Sequence, residues 1–197
     1  MAKVVKFASL SPQKFGFKPV RKKGSSAKTD SAQLSLFAGG KVVSMNTYSP
    51  FEEALLLDEH GDARAKEMYL RAIEKKESVA DSYCNLGILE SDEKNYSKAI
   101  DYFTQCLKEE PRHFEAHYNL ANLYAELGNF LLAKIHYQTS IEIDPNFPNG
   151  YFNLGLAYAM NKEVEEAIQA LLKYRSLASN EDKSFAEELI NNLSRSI

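Results

Sequence analysis

Tyr83-Cys84-Asn85-Leu86-Gly87, His117-Tyr118-Asn119-Leu120-Ala121 and Tyr151-Phe152-Asn153-Leu154-Gly155 are three versions of one pentad, recurring at a period of 34. The same step relates Ala99, Ala133 and Ala167, and again Phe103, Tyr137 and Leu171. Pro111 returns as Pro145. A fixed period of this length implies stacked supersecondary units, none of which can bury its apolar face alone.

The residue types suit two packed helices per unit. Gly87, Ala121 and Gly155 are small enough for a partner helix to come close, and Ala99, Ala133 and Ala167 supply the matching small contact. Large side chains at Tyr83/His117/Tyr151 and Phe103/Tyr137/Leu171 fill the space between pairs. Lys94-Asn95, Gly128-Asn129 and Asn161-Lys162 read as turns between a first helix, A, and a second, B. Pro111 and Pro145 stop the B helices, because proline lacks the amide hydrogen and restricts the residue before it. Large-x2-Leu-Gly/Ala, then Ala-x3-aromatic, then Pro at a period of 34 resembles the tetratricopeptide repeat (TPR) family. That resemblance implies an all-α, right-handed superhelix of about four antiparallel helix pairs plus a C-terminal capping helix.

A worn first copy precedes the three clear ones. Ala65, Tyr69 and Ala72 lie one period before Ala99, Phe103 and Cys106. Helix A of that copy fits if its turn through His60-Gly61-Asp62 is one residue shorter, which puts Ala54 at the small position and Leu57 at the aromatic one. Phe185, Leu189 and Leu193 then form a stripe suited to covering the last exposed face. The expected organisation is a basic arm over 1–45 and a repeat domain over 46–197. Within the domain lie a degenerate repeat at 46–79, repeats at 80–113, 114–147 and 148–181, and a capping helix at 182–197.

The 197 residues are 44% hydrophobic and 26% charged, ordinary globular composition. No apolar run is long enough for a membrane span, and the start has no secretory h-region. Two cysteines make no disulfide framework and fit a reducing compartment, so the expectation is a cytoplasmic protein without membrane partners. The net charge of −3 conceals a split. Nine Lys or Arg against Asp30 give the arm +8, leaving −11 for the domain. No nucleotide, hydrolase, zincin or C-x-x-C signature occurs, so no enzyme, cofactor or metal is expected. His113 and His117 have a metal-ligand spacing, but His117 falls at a core position. Cys84 and Cys106, 22 apart and at unlike repeat positions, read as separate, reduced structural thiols.

The TPR resemblance implies a concave face lined by A helices. Its positions are Asp81, Cys84, Asn85, Ile88 and Asp92, then Glu115, Tyr118, Asn119, Asn122 and Glu126, then Asn149, Phe152, Asn153, Leu156 and Met160. Asn85, Asn119 and Asn153 resemble the asparagine ladder by which some TPR proteins hold an extended chain. A carboxamide offers both donor and acceptor to any peptide backbone. The same residues also serve as consensus TPR asparagines making local hydrogen bonds, and both readings stand. Cations that clamp acidic C-terminal tails in TPR co-chaperones are absent here, so the preferred partner is another protein's basic or neutral peptide segment.

Within the arm, Gln33-Leu34-Ser35-Leu36-Phe37 resembles the pentapeptide that docks bacterial replication and repair proteins on the sliding clamp. Leu36 and Phe37 suit an apolar pocket and Gln33 a hydrogen bond. Alternatively, Leu34, Leu36, Phe37, Val42 and Val43 cap the first repeat, or the arm lies in its own acidic groove. Phe15 to Lys23 mixes aromatics with cations, so nucleic acid is a partner only through residues 1–45. An adaptor and a clamp- or nucleic-acid-associated accessory protein are therefore the two functional readings.

Overall fold

The computed structural model describes residues 48–195. Among these are nine helices and no strand. They are α1 (Pro50–Glu59), α2 (Ala65–Glu74), α3 (Val79–Asp92), α4 (Tyr96–Glu109), α5 (Phe114–Glu126), α6 (Phe130–Ile143), α7 (Pro148–Met160), α8 (Val164–Leu177) and α9 (Asn180–Ser194). The first eight pair in order as A and B helices, and α9 lies against α8. No helix among the described residues is long and apolar enough to cross a membrane.

Local signals set the helix ends. Ser49 opens α1 with a capping box: its hydroxyl accepts from Glu52 N–H, Glu52 accepts from Ser49 N–H, and Pro50 follows at the first helical position. Every A helix closes by one device. Gly61, Lys94, Gly128 and Lys162 adopt the left-handed conformation. The next amide then reaches back along the chain, from Asp62 to Leu57, Asn95 to Glu90, Asn129 to Tyr124 and Glu163 to Tyr158, at 2.8–2.9 Å. From Gly61 to Lys94 the step falls one short of the repeat period, and the two later steps equal it. That is the one-residue shortening anticipated in the turn through Gly61.

Close approach within each pair rests on small residues. A Cβ at Gly87 would meet the Phe103 ring at 2.7 Å, and one at Gly155 would meet Leu171 Cγ at 2.9 Å. Ala54, Ala65, Tyr69 and Ala72 are fully buried, so the worn copy folds as a helix pair like the others. Leu189 and Leu193 of α9 are buried with Phe152, Leu171 and Tyr174, which closes the C-terminal end of the stack.

The junction between the first two pairs differs from the others. Pro111 and Pro145 follow α4 and α6, but after α2 the chain runs through Lys76 (φ 58°) and Ser78 (φ 42°), both left-handed. Between them, a carboxylate oxygen of Glu77 is buried without a hydrogen-bond partner among the described residues.

Replacing Gly87 with Val forces a branched side chain into the Phe103 ring. Urea unfolding should show a loss of about 2–3 kcal/mol, and an unchanged midpoint would contradict this account of the close approach.

Candidate functional site

The three repeated asparagines lie inside the stack. Asn85, Asn119 and Asn153 are at most 1% exposed. Asn85 donates to the Tyr69 hydroxyl at 3.1 Å, and that hydroxyl donates to Asp58 at 2.9 Å. Asn153 donates to the Tyr118 hydroxyl and to Asn122 Oδ1, both at 3.1 Å, while Tyr137 donates to the same Asn122 oxygen at 2.6 Å. Phe103 has no hydroxyl to offer, and Asn119 turns to Cys84 Sγ at 3.8 Å. Each amide thus bonds back to the preceding repeat. An exposed ladder is not what the structure shows, because these positions face the seam between repeats. Of the other anticipated groove residues, Tyr118, Asn122, Phe152 and Leu156 are also buried. Asp81, Ile88 and Glu115 keep partial exposure.

Carboxylates line the ends of the A helices. Asp58 lies in the last turn of α1, and Asp92 and Glu126 are the final residues of α3 and α5. None of these three helices has a basic residue in its last turn. Acids there oppose the helix dipole, at a cost of about 0.3–1 kcal/mol each. Burial raises the pKa of Asp92, and the charges of Asp58 and Glu126 raise it further. Burial also raises Asp58, against the lowering effect of the Tyr69 hydroxyl. Nearby Glu90 and Glu93 differ, because Lys66 reaches them at 2.9 and 2.6 Å. The row Asp58–Asp92–Glu126 is therefore a concentration of negative potential held across three repeats, placed against local stability.

The cysteines, expected to be separate, meet. One donor atom from each of Cys84, Cys106 and His113 falls within 4.8 Å of the other two, and all three residues are buried. The residues are far apart in sequence but converge where α3, α4 and the start of α5 meet. His113 caps α5, its Nδ1 accepting from Ala116 N–H at 3.2 Å, and its Nε2 lies 3.1 Å from Asp81 Oδ1. Burial alone would lower the His113 pKa, but hydrogen bonds to Asp81 and Cys106 raise it. Hydrogen bonding from Cys84, helped by His113, outweighs burial and lowers Cys106 to about 7. His117 does not join His113. Its Nε2–H donates to Pro111 O at 3.1 Å and its Nδ1 meets His136 Nδ1 at 3.0 Å.

A shallow cleft of about 520 Å³ runs between α6, α7 and α8, lined in part by Tyr151, Tyr158, Glu166 and Lys173. Sequence reasoning missed it, since its walls combine positions from unlike places in the repeat. Gln33, Leu34, Leu36, Phe37 and the rest of the arm lie outside the described residues.

Known proteins share this arrangement of helices. Residues 80–113 and 114–147 match the tetratricopeptide repeat family, as do residues 136–169 in a second register. Residues 80–169 are tetratricopeptide repeats. No curated protein matches it in sequence. Among solved structures, the first TPR of Spaghetti (RPAP3) bound to HSP90 peptide SRMEEVD is similar, with 20% identity and a TM-score of 0.55 over 59% of this chain and 91% of that one. MamA 41-end from Desulfovibrio magneticus RS-1 aligns at 19% identity and a TM-score of 0.62, covering 73% of this chain and 85% of that one. These likenesses establish a TPR fold.

The buried polar groups of this TPR array make its stability sensitive to truncation and to acid. Asn153→Ala leaves the Tyr118 and Asn122 oxygens without their shared donor, and denaturant unfolding should register a loss of about 2–3 kcal/mol. Acid acts through a histidine. Burial and the neighbouring His117 lower His136 to about 4, whereas an unfolded histidine takes its proton near 6.5. The folded state therefore binds fewer protons than the unfolded one between these values, and stability falls as pH drops from 6.5 to 4. His136→Phe should flatten that acid limb by on the order of 1–3 kcal/mol, read as the difference in unfolding free energy between pH 7 and pH 4.5.

Proposed function

We propose that this TPR protein is a non-catalytic adaptor that holds a basic or neutral extended segment of another protein along its A helices. The observation that carries the reading is the carboxylate row of Asp58, Asp92 and Glu126. Asp58 and Glu126 raise the proton affinity of Asp92, and all three sit where the helix dipole disfavours them. A bound Lys or Arg side chain relieves both penalties at once. Asp81, Ile88 and Glu115 extend the same character to the partly exposed parts of α3 and α5. The similar structure of the first TPR of Spaghetti holds the acidic peptide SRMEEVD. Here the anticipated clamp positions are Asp81/Asn85, Glu115/Asn119 and Asn149/Asn153, with no cation to receive such a tail. Charge complementarity selects against acidic tails and in favour of basic segments.

The test is fluorescence anisotropy with two labelled peptides of equal length and hydrophobicity, one Lys/Arg-rich and one Glu-rich. The full chain should bind the basic peptide selectively, and added salt should weaken that binding. Reversing charge with Asp92→Lys and Glu126→Lys together should cost at least about tenfold in affinity, ~1.4 kcal/mol. Equal binding of both peptides, or indifference to the double reversal, rejects the reading. Should partner capture depend instead on Gln33, Leu36 and Phe37, the accessory role through residues 1–45 takes its place.

A further inference from the structure

We infer that Cys84, Cys106 and His113 form a binding site for a soft divalent cation of the zinc class, built into the second repeat. The inference is independent of the peptide reading: its three donor residues play no part there, although Asp81 and Asn119 stand beside both. These are the only two cysteines of the chain, together with one of its four histidines. Two sulfurs and an imidazole nitrogen are the donors such ions select. Zinc holds sulfur at about 2.3 Å and nitrogen at about 2.0 Å, so donors on one ion stand about 3.3–3.8 Å apart. The observed cluster, with every donor pair inside 4.8 Å, needs only side-chain contraction to reach that geometry.

The other repeats show that the fold does not require this chemistry. One and two repeats away from Cys106 stand Ala72, Ser140 and Tyr174, and one period after Cys84 and His113 stand Tyr118 and Phe147. In the third repeat that space is filled by aromatic packing, with Tyr118 edge-on to Phe147 at 4.9 Å. The second repeat puts donor atoms in its place. The surroundings also resemble the outer shell of a metal site. Asn119 donates N–H to Cys84 Sγ at 3.8 Å, and Ala116 N–H holds His113 Nδ1 at 3.2 Å, which leaves Nε2, beside Asp81, to face the ion. Two thiolates neutralise a divalent ion, which lets the assembly stay buried. The fourth coordination place falls to water or to the Asp81 carboxylate. Binding releases the protons of the thiols and imidazole.

The experiment titrates the full-length, freshly reduced and metal-free chain with Cd²⁺, a spectroscopic probe for thiolate ligation, and then with Zn²⁺ in competition. One equivalent of Cd²⁺ should saturate an ultraviolet thiolate-to-metal charge-transfer band, and Zn²⁺ should displace it while raising the thermal midpoint. Cys106→Ala should abolish the band yet keep native helicity, since Ala72 fills the same position in the first repeat. His113→Phe, which copies the residue found at Phe147, should weaken binding by more than the ~10–100-fold that loss of an outer-shell partner costs. A band that survives Cys106→Ala, or that saturates only at large molar excess, overturns the site. So does ready formation of a Cys84–Cys106 disulfide in air that excess Zn²⁺ fails to slow, which would identify the pair as a dithiol instead.

Discussion

Contact between a very small residue and a large one, repeated across each helix pair, is the constraint on which the rest of this protein depends. Gly87 under Phe103 and Gly155 under Leu171 bring the two backbones so close that an added carbon would overlap its neighbour. That proximity fixes which side chains of helix B reach across to the next A helix. Tyr69 and Tyr137 thereby arrive at the inter-repeat seam with their hydroxyls buried, and a buried hydroxyl requires partners. Asp58 and Asn85 supply them to Tyr69 and Asn122 to Tyr137, and Asn153 donates to Asn122 in turn. The polar seam is a consequence of the apolar one.

The middle seam obeys the same logic with different chemistry. Where Phe103 replaces tyrosine, no hydroxyl arrives, and the corresponding asparagine bonds to a sulfur instead. The side of the stack that meets no tyrosine is thus also the side that gathers Cys84, Cys106 and His113. Substitution within one repeat is tolerated because its neighbours retain the packing that holds the helices in place. Repetition supplies the scaffold, and departures from it supply the chemistry.

Much of this was legible in the sequence. The period of 34, the small positions, the turn residues and the shortened first turn all depend on local or regularly spaced residues, and each appears in the structure as read. What escaped depends on side-chain direction and on contacts across unlike positions. Asn85, Asn119 and Asn153 share a helix face with groove residues, yet a small rotation separates the seam from open solvent. Cys84 and Cys106 are 22 apart, a distance unrelated to the repeat, and comparing copies position by position hides their meeting. Counting acids gave the sign of the domain, but only the ends of α1, α3 and α5 reveal how those charges are set against the helix dipoles.

The first junction carries a further consequence. A linear array is only as cooperative as its weakest interface, because each repeat is held by its neighbours alone. Lys76 and Ser78 occupy a backbone region that costs L-residues energy, and Glu77 buries a carboxylate oxygen between them. Later junctions carry proline there and are stiffened by it. The array is therefore expected to have a grain, with the first helix pair opening at this joint ahead of α3 to α9 although Asn85 and Lys66 tie the two together. Amide exchange would read that order directly, with α1 and α2 exchanging as one early unit. A chain that opened in this order would present two surfaces in turn, the intact stack and the freshly bared face of α3.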